Sequence, residues 1–278
     1  MRKTLFSGIA ACLFATAATA AEQSPSVIWT VGQADRSASE FALAPDRFRD
    51  FLANDFGYED KYFLVGHSVP AADFPYVLPG PADTWGGTWP TSGWRTHQVN
   101  ILFGLKEIPS DGTCTLVVDL LDYAKNFLPL VKVSVNTQDA KFQLDAPGLS
   151  VADQRKPNQM EKIVDTLSIT GNLAKATPRR LEIPIRPGVL KAGGNEVTIT
   201  VLEGSWILFD RVSLEGPAGT NVEQPQQLFI RNIEAAPYEL ADGKRRVQPL
   251  LVDLEWLEGA PALSVELDGK EILNQRIE

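Results

Sequence analysis

The chain has 278 residues, 44% of them hydrophobic, with 26 basic and 35 acidic side chains and a formal net charge of −9. That acidity argues against nucleic acid and anionic membrane as partners, since both are held by basic surfaces. Two cysteines, Cys12 and Cys114, supply neither a disulfide scaffold nor a zinc framework, so the fold has to rest on its apolar core.

Met1-Arg2-Lys3, an apolar run from Leu5 to Ala17 and the small residues Ala18-Thr19-Ala20 have the form of a secretory signal peptide over residues 1–20. The run is shorter than the about 20 apolar residues that span a bilayer, and no later stretch reaches that length. A lipoprotein reading through Ile9-Ala10-Ala11-Cys12 is weaker, because the residues after Cys12 stay apolar. Cleavage after Ala20 removes two basic residues and no acid, taking the net charge from −9 to −11. It leaves Cys114 as the one thiol, inside the strand-like Thr113–Val118, where a small buried hydrophobe is expected.

Strand signals dominate the rest of the chain. Val27–Val31 is a β-prone run closed by Gly32, and Val99–Leu105 and Thr115–Leu121 are apolar strands. Lys132-Val133-Ser134-Val135-Asn136 alternates as a strand with one wet face does. Arg180–Ile185, Glu196–Val201 and Ser205–Asp210 read the same way, with Pro129, Pro187-Gly188, Gly193-Gly194 and Gly204 among the turns between. Two short helices are predicted. One follows a capping box at Ser37-x-x-Glu40, with Phe48, Phe51 and Leu52 at helical spacing; the other lies around Asn158–Ile163.

Many short strands at turn-bounded spacing predict an all-β sandwich of jelly-roll type over residues 27–216. A Gly/Pro-rich linker, 217–225, then leads to a β tail, 226–278, with strands at Gln227–Arg231, Val247–Asp253, Ala262–Leu267 and Glu271–Ile277. Asp268-Gly269 is the strongest hairpin signal in the chain. So short a tail is expected either to dock on the sandwich or to be an incomplete immunoglobulin-like domain.

The densest unusual segment runs from Phe74 to Trp94 and holds Tyr76, Trp85, Trp89 and Trp94. Long aromatic loops in compact domains tend to be functional, and a Trp or Tyr plane can stack on the C–H face of a sugar. The same rings also serve to pin a loop, and the residues leave both readings open. Arg95 is the candidate partner for a uronate carboxylate. His97 is the weak candidate for a catalytic base, ahead of His67. Asp83, Asp119 and Asp122 are scattered carboxylates from which a glycosidase pair could be drawn, though nothing in their spacing selects one. Phosphate-cradling loops, H-E-x-x-H, G-x-S-x-G and EF-hand motifs are absent. Asp210, at the end of a strand, offers a carboxylate for a structural calcium; pairing with Arg211 or capping a turn are its other readings.

Two stretches carry a family resemblance. Ile28-Trp29-Thr30-Val31-Gly32-Gln33-Ala34-Asp35-Arg36-Ser37, followed by Glu40-Phe41, is similar to the W-x-I-G-x-x-D-x-[ST]-x-x-E-F opening of the C-terminal module of rhamnogalacturonan lyases, polysaccharide lyase family 4. Leu190-Lys191-Ala192-Gly193-Gly194-Asn195 and the strands up to Asp210 resemble its closing L-x-x-G-x-N turn and final strand. Asn136 fits the mid-domain V-x-V-N strand. The resemblance implies a sandwich like that of carbohydrate-binding modules and a pectin-degradation context. It transfers no catalytic residue, because the base of such lyases lies in an earlier, separate domain.

Together these readings predict an exported, secreted or periplasmic module that binds or helps process plant-type, pectic polysaccharide. Tyr76, Trp85, Trp89, Trp94 and Arg95 are its contacts, no cofactor is expected beyond a structural calcium at Asp210, and larger or companion enzymes are its protein partners. Two alternatives stand beside it: a lyase or glycoside hydrolase in its own right, and a non-binding structural domain of a larger cell-surface enzyme.

Overall fold

The computed structural model describes residues 26–44, 47, 61–83, 98–108, 113–145 and 168–276. Two sheets face one another. The first contains β1 (Ser26–Gly32), β3 (Val77–Leu78), β5 (Cys114–Tyr123), β8 (Arg179–Ile185) and β10 (Ile207–Gly216), in the order β1-β10-β5-β8 with β3 also on β10. The second contains β2 (Lys61–Leu64), β4 (Gln98–Leu105), β6 (Leu130–Val135), β7 (Gln138–Gln143), β9 (Gly193–Glu203) and β11 (Val222–Glu223). Its order is β11-β4-β9-β6-β7, with β2 parallel to β4. The chain crosses repeatedly between sheets, so neither sheet can form from neighbouring strands alone.

Period-two patterning decides which face is buried. Val131, Val133 and Val135 of β6 and Val197, Ile199 and Val201 of β9 point into one core with Leu116, Val118 and Val212 from the opposite sheet. Lys132 and Ser134 alternate onto the wetter face. Cys114 is buried at the start of β5, and burial pushes its thiol up, away from nucleophile chemistry. Phe74 stacks edge-on against Phe63 and Phe209, closing the core under β3.

The two asparagines singled out in separate sequence motifs meet in space. Asn136 sits in the left-handed region (φ 48°) in the turn after β6, and its Nδ2 donates to Asn195 Oδ1 at 2.8 Å. Asn136 Oδ1 accepts the Glu196 N–H, and Asn195 Oδ1 accepts that of Lys191. Two turns distant in sequence are thereby locked by side chains that mimic backbone pairing.

Two expectations change. Glu40 does not reach back to cap Ser37; it accepts the Gln33 N–H, while the Ser37 hydroxyl bonds Ser39. The residues join a loop, because the Glu40 carboxylate turns back to Gln33 and the Ser37 hydroxyl meets Ser39 rather than the N–H one helical turn on. The remainder of that expected helix, like the one around 158–163, falls outside the described residues apart from Arg47. The described α-helix is a single turn, α1 (Pro70–Asp73). Within 217–225, β11 adds to β4 through Val222↔Leu105 and Glu223↔Gly104, so this stretch is part of the sandwich rather than a free linker.

The tail forms three strand pairs: β12 (Leu228–Ala235) with β15 (Leu250–Trp256), β13 (Leu240–Asp242) with β14 (Arg245–Val247), and β16 (Ala262–Leu267) with β17 (Lys270–Arg276). It docks on the outer face of the six-stranded sheet. Phe229 packs with Leu64 and Leu102, flanked by Tyr62 and Leu257. Arg231 bonds Glu196 at 3.1 Å and Glu255 at 3.2 Å, and its guanidinium lies 4.8 Å from the Tyr62 ring centroid.

Candidate functional site

One end of the sandwich gathers loops from both sheets. β5 ends there at Tyr123, opposite Ile207 where β10 begins, and β6 begins there at Leu130, opposite Glu203 of β9 and Gln143 of β7. Gln98 of β4 lies against Thr200 of β9, and Arg179 of β8 against Leu120 of β5. Turns 124–129 and 204–206 and segments 79–83, 144–145 and 168–178 therefore share one rim. Trp85, Trp89, Trp94, Arg95 and His97 lie outside the described residues, but the positions flanking their segment, Asp83 and Gln98, are both at this rim.

The base of the rim is packed backbone against backbone. The Ala82 N–H donates to the Gly204 carbonyl at 2.8 Å, the Ser205 N–H to Phe127 at 2.9 Å and the Ala124 N–H to Trp206 at 3.0 Å. Gly204 takes φ 82°, and a Cβ there would collide with the Leu128 carbonyl oxygen, so the contact requires glycine. Asp83 is buried among these segments: Oδ2 accepts the Gly80 N–H at 2.7 Å and Oδ1 accepts the Ser205 hydroxyl at 2.5 Å. Its role is to tie the root of the tryptophan segment to the β9–β10 turn.

Asp122 has no exposed surface. Oδ1 accepts from Lys125 Nζ at 2.5 Å and from the Thr177 N–H at 2.9 Å, while Oδ2 has no hydrogen-bond partner among the described residues. Lys125 Nζ also reaches the Lys175 carbonyl at 3.4 Å. The Tyr123 hydroxyl donates to the Asp145 carbonyl at 2.6 Å, and burial, followed by the Asp145 charge, pushes its phenol up.

Tyr76 requires a correction. Expected to stack on a ligand, it is instead wholly buried at 0% exposure, and its hydroxyl donates to the Ile169 carbonyl at 2.8 Å. Burial also raises its phenol well above the usual range. A ring enclosed on every side offers no face to a sugar, and Tyr76 is a core residue. The other expected carboxylate, Asp119, lies on the outer face of the five-stranded sheet, bonded to Arg211 at 2.9 Å and Arg180 at 3.3 Å. Asp83, Asp119 and Asp122 are each held in separate contacts, with no hydrogen bond joining any two of them. His67 is exposed in the turn after β2, which runs away from the rim alongside β4.

Asp210 accepts the Arg36 N–H at 3.0 Å and so holds the loop after β1, where Arg36 takes φ 64°. Burial lifts its carboxyl to about 6 against the pull of that N–H, with the charges of Asp35 and Asp119 adding to the rise. Among the described residues no three His, Cys, Asp or Glu side chains gather where they could hold a metal ion. A calcium at Asp210 would have to draw its other ligands largely from carbonyls.

Sequence reasoning missed Lys125-Asn126-Phe127, the rim turn with an exposed ring. Its one visible signal was an aromatic residue in a turn closed by Pro129. A separate cleft of 630 Å³ opens at the seam with the tail, lined by Lys191–Gly194, Glu223–Gln226 and β12. It lies at the opposite end of β9 from the rim, and Arg231 within it is engaged in docking.

The family described as CBM-like, polysaccharide lyase family 4, domain III, matches residues 27–214 of the chain. No curated protein matches. Among solved structures, the chain is similar to BtGH115A, a family GH115 4-O-methyl-α-glucuronidase with specificity for decorated arabinogalactans. Identity is 17% and the TM-score 0.26, over 42% of this chain and 13% of that one, too partial a likeness to bear on fold or ligand.

Proposed function

The chain belongs to the CBM-like family of polysaccharide lyase family 4, domain III, and from that membership we propose that it is an exported module that binds plant-type, pectic polysaccharide at the loop rim of its sandwich. The observation that supports this reading is the rigid base of the rim, where Asp83 and Ser205 fix the root of the segment carrying Trp85, Trp89 and Trp94. In this proposal the three tryptophans stack on sugar rings and Arg95 pairs with a uronate carboxylate.

Affinity electrophoresis through gels containing rhamnogalacturonan, polygalacturonate or galactan tests the reading. Retardation of the wild type that is lost in Trp85→Ala, Trp89→Ala or Trp94→Ala supports it, and unretarded wild type in every gel sinks it. An enzymatic role for His97 would appear as rising absorbance of unsaturated uronates on incubation with pectic oligosaccharides, abolished by His97→Ala. Export by the signal-like residues 1–20 belongs to the same proposal and is checked by the N-terminal sequence of the protein recovered outside the cytoplasm. A structural calcium at Asp210 is checked by melting in calcium against chelator, where a calcium-dependent rise that disappears in Asp210→Asn is the expected result.

A further inference from the structure

The rim carries an aromatic residue of its own. Among the described residues of the sandwich, Phe127 is the one aromatic with an exposed ring, at 45%; Trp29, Phe41, Phe63, Phe74, Tyr76, Phe103, Tyr123, Trp206 and Phe209 are all buried. A lone exposed apolar residue needs no explanation in itself. Three features set this one apart.

Its backbone is fixed on both sides. The Phe127 N–H donates to Asn126 Oδ1 at 3.1 Å, and its carbonyl accepts the Ser205 N–H at 2.9 Å. The next residue, Leu128, packs against the main core, and the Pro129 carbonyl accepts the Leu144 N–H at 3.0 Å. The ring is therefore exposed on a rigid support, which is the arrangement a stacking platform needs.

Ser205 also places the ring beside the root of the tryptophan segment. It donates its N–H to Phe127 and its hydroxyl to Asp83, so the two rim segments share one clamp. Two residues before the ring, Lys125 pairs with the wholly buried Asp122 at 2.5 Å. An ammonium has three donors. Asp122 and the Lys175 carbonyl occupy two, the Tyr123 ring centroid lies 5.8 Å from Nζ, and the side chain keeps 14% exposure; among the described residues the third donor has no hydrogen-bond partner and is open to an oxygen from outside. The 2.5 Å contact with Asp122 Oδ1 holds the lysine head group in place at the rim.

We infer that Phe127 and Lys125 form a saccharide subsite: the ring takes the C–H face of a pyranose unit, and the ammonium takes a hydroxyl or carboxylate oxygen of that unit. The inference rests on the polysaccharide-binding reading and extends it to residues outside the tryptophan segment. A stacked ring makes a contact that tolerates many sugars, whereas the lysine distinguishes acidic from neutral ones.

The test compares wild type, Phe127→Ala, Phe127→Trp, Lys125→Met and Trp256→Ala by affinity electrophoresis in rhamnogalacturonan, polygalacturonate and galactan, with melting curves for each. Phe127→Ala is expected to weaken binding about tenfold, Phe127→Trp to preserve it, and Trp256→Ala, on the tail, to leave it unchanged. Lys125→Met should weaken binding to polygalacturonate more than to galactan if the bound oxygen is a carboxylate, and equally if it is a hydroxyl. Melting within about 3 °C of wild type shows that the fold is retained, and Phe127→Trp reports on the platform even if Phe127→Ala is unstable. Wild type that binds while both Phe127 variants bind equally well, with the melting point kept, overturns the subsite alone. Wild type that binds no glycan overturns the binding reading and the subsite with it.

Discussion

The sandwich and the tail are built from the same kind of alternating strand and reach different ends. In the sandwich, each inward row finds an opposing row, so Ile101, Val118, Val133, Ile199 and Val212 are buried in one continuous core. In the tail, the row Leu228, Ile230, Ile233 and Ala235 of β12 faces the same way as Trp256, Leu254, Val252 and Leu250 of β15. Ile233, Leu250 and Trp256 nevertheless stay exposed. Local pattern makes strands in both regions. Burial against a second layer is what distinguishes them, and only that burial yields large stabilisation. The tail holds to the sandwich by a small contact around Phe229 and by Arg231.

Substitutions graded by burial can break or sharpen this contrast. Phe209→Ala removes a ring with 0% exposure that meets Phe74 at 5.2 Å. A loss of about 3–5 kcal/mol is expected in urea unfolding of the sandwich, and a loss under about 1 kcal/mol would mean the core is looser than its burial indicates. Phe229→Ala empties the docking contact with Leu64 and Leu102 and should cost about 2–3 kcal/mol of docking. Its signature is faster proteolysis within β12–β17 while a truncation-resistant sandwich persists; equal protection in wild type and variant would show that the tail holds by other means.

Arg231→Gln deletes the pairs to Glu196 and Glu255 and the stack on Tyr62. About 1 kcal/mol is expected, because the group keeps partial access to solvent. Tail protection in the wild type should fall as salt rises, and the variant should be nearly indifferent to salt; parallel salt curves would remove the arginine from the account. Gly269→Ala is comparably mild and confined to the last hairpin. Asp268 and Gly269 both take positive φ, at 52° and 73°, and alanine there should cost about 1 kcal/mol. Hydrogen exchange should quicken in β16 and β17 alone, whereas a shift in sandwich melting would reveal coupling between the two regions.

The parts legible in the sequence were those written in local pattern. The alternation of Lys132–Asn136 became β6, Glu196–Val201 became the centre of β9, and Asp268-Gly269 became the turn of the last hairpin. Residues whose meaning depends on distant partners were opaque. Tyr76 sits in a Pro- and Gly-rich segment that reads as a loop, and its burial depends on Ile169, ninety-three positions away. Glu40 matched a capping pattern, yet the orphan N–H it satisfies belongs to Gln33. Phe127 looked like any aromatic in a strand connection until Ser205 showed what fixes it. Within the candidate site, the tryptophans were conspicuous by composition, whereas the Asp83–Ser205–Phe127 clamp spans 122 positions and leaves no trace in spacing.

Gln138 has a consequence for how copies of this chain behave when crowded together. β8 ends its sheet, and Pro184 on that strand has no N–H to offer a newcomer. Gln138, reaching over from β7, donates Nε2 to the Pro184 carbonyl at 2.8 Å and accepts the Arg186 N–H on Oε1 at 2.9 Å. One side-chain amide thus occupies the donor and acceptor through which a foreign strand would begin to zip on. When copies are crowded together, this end of the edge offers a foreign strand no free pair of groups on which to start.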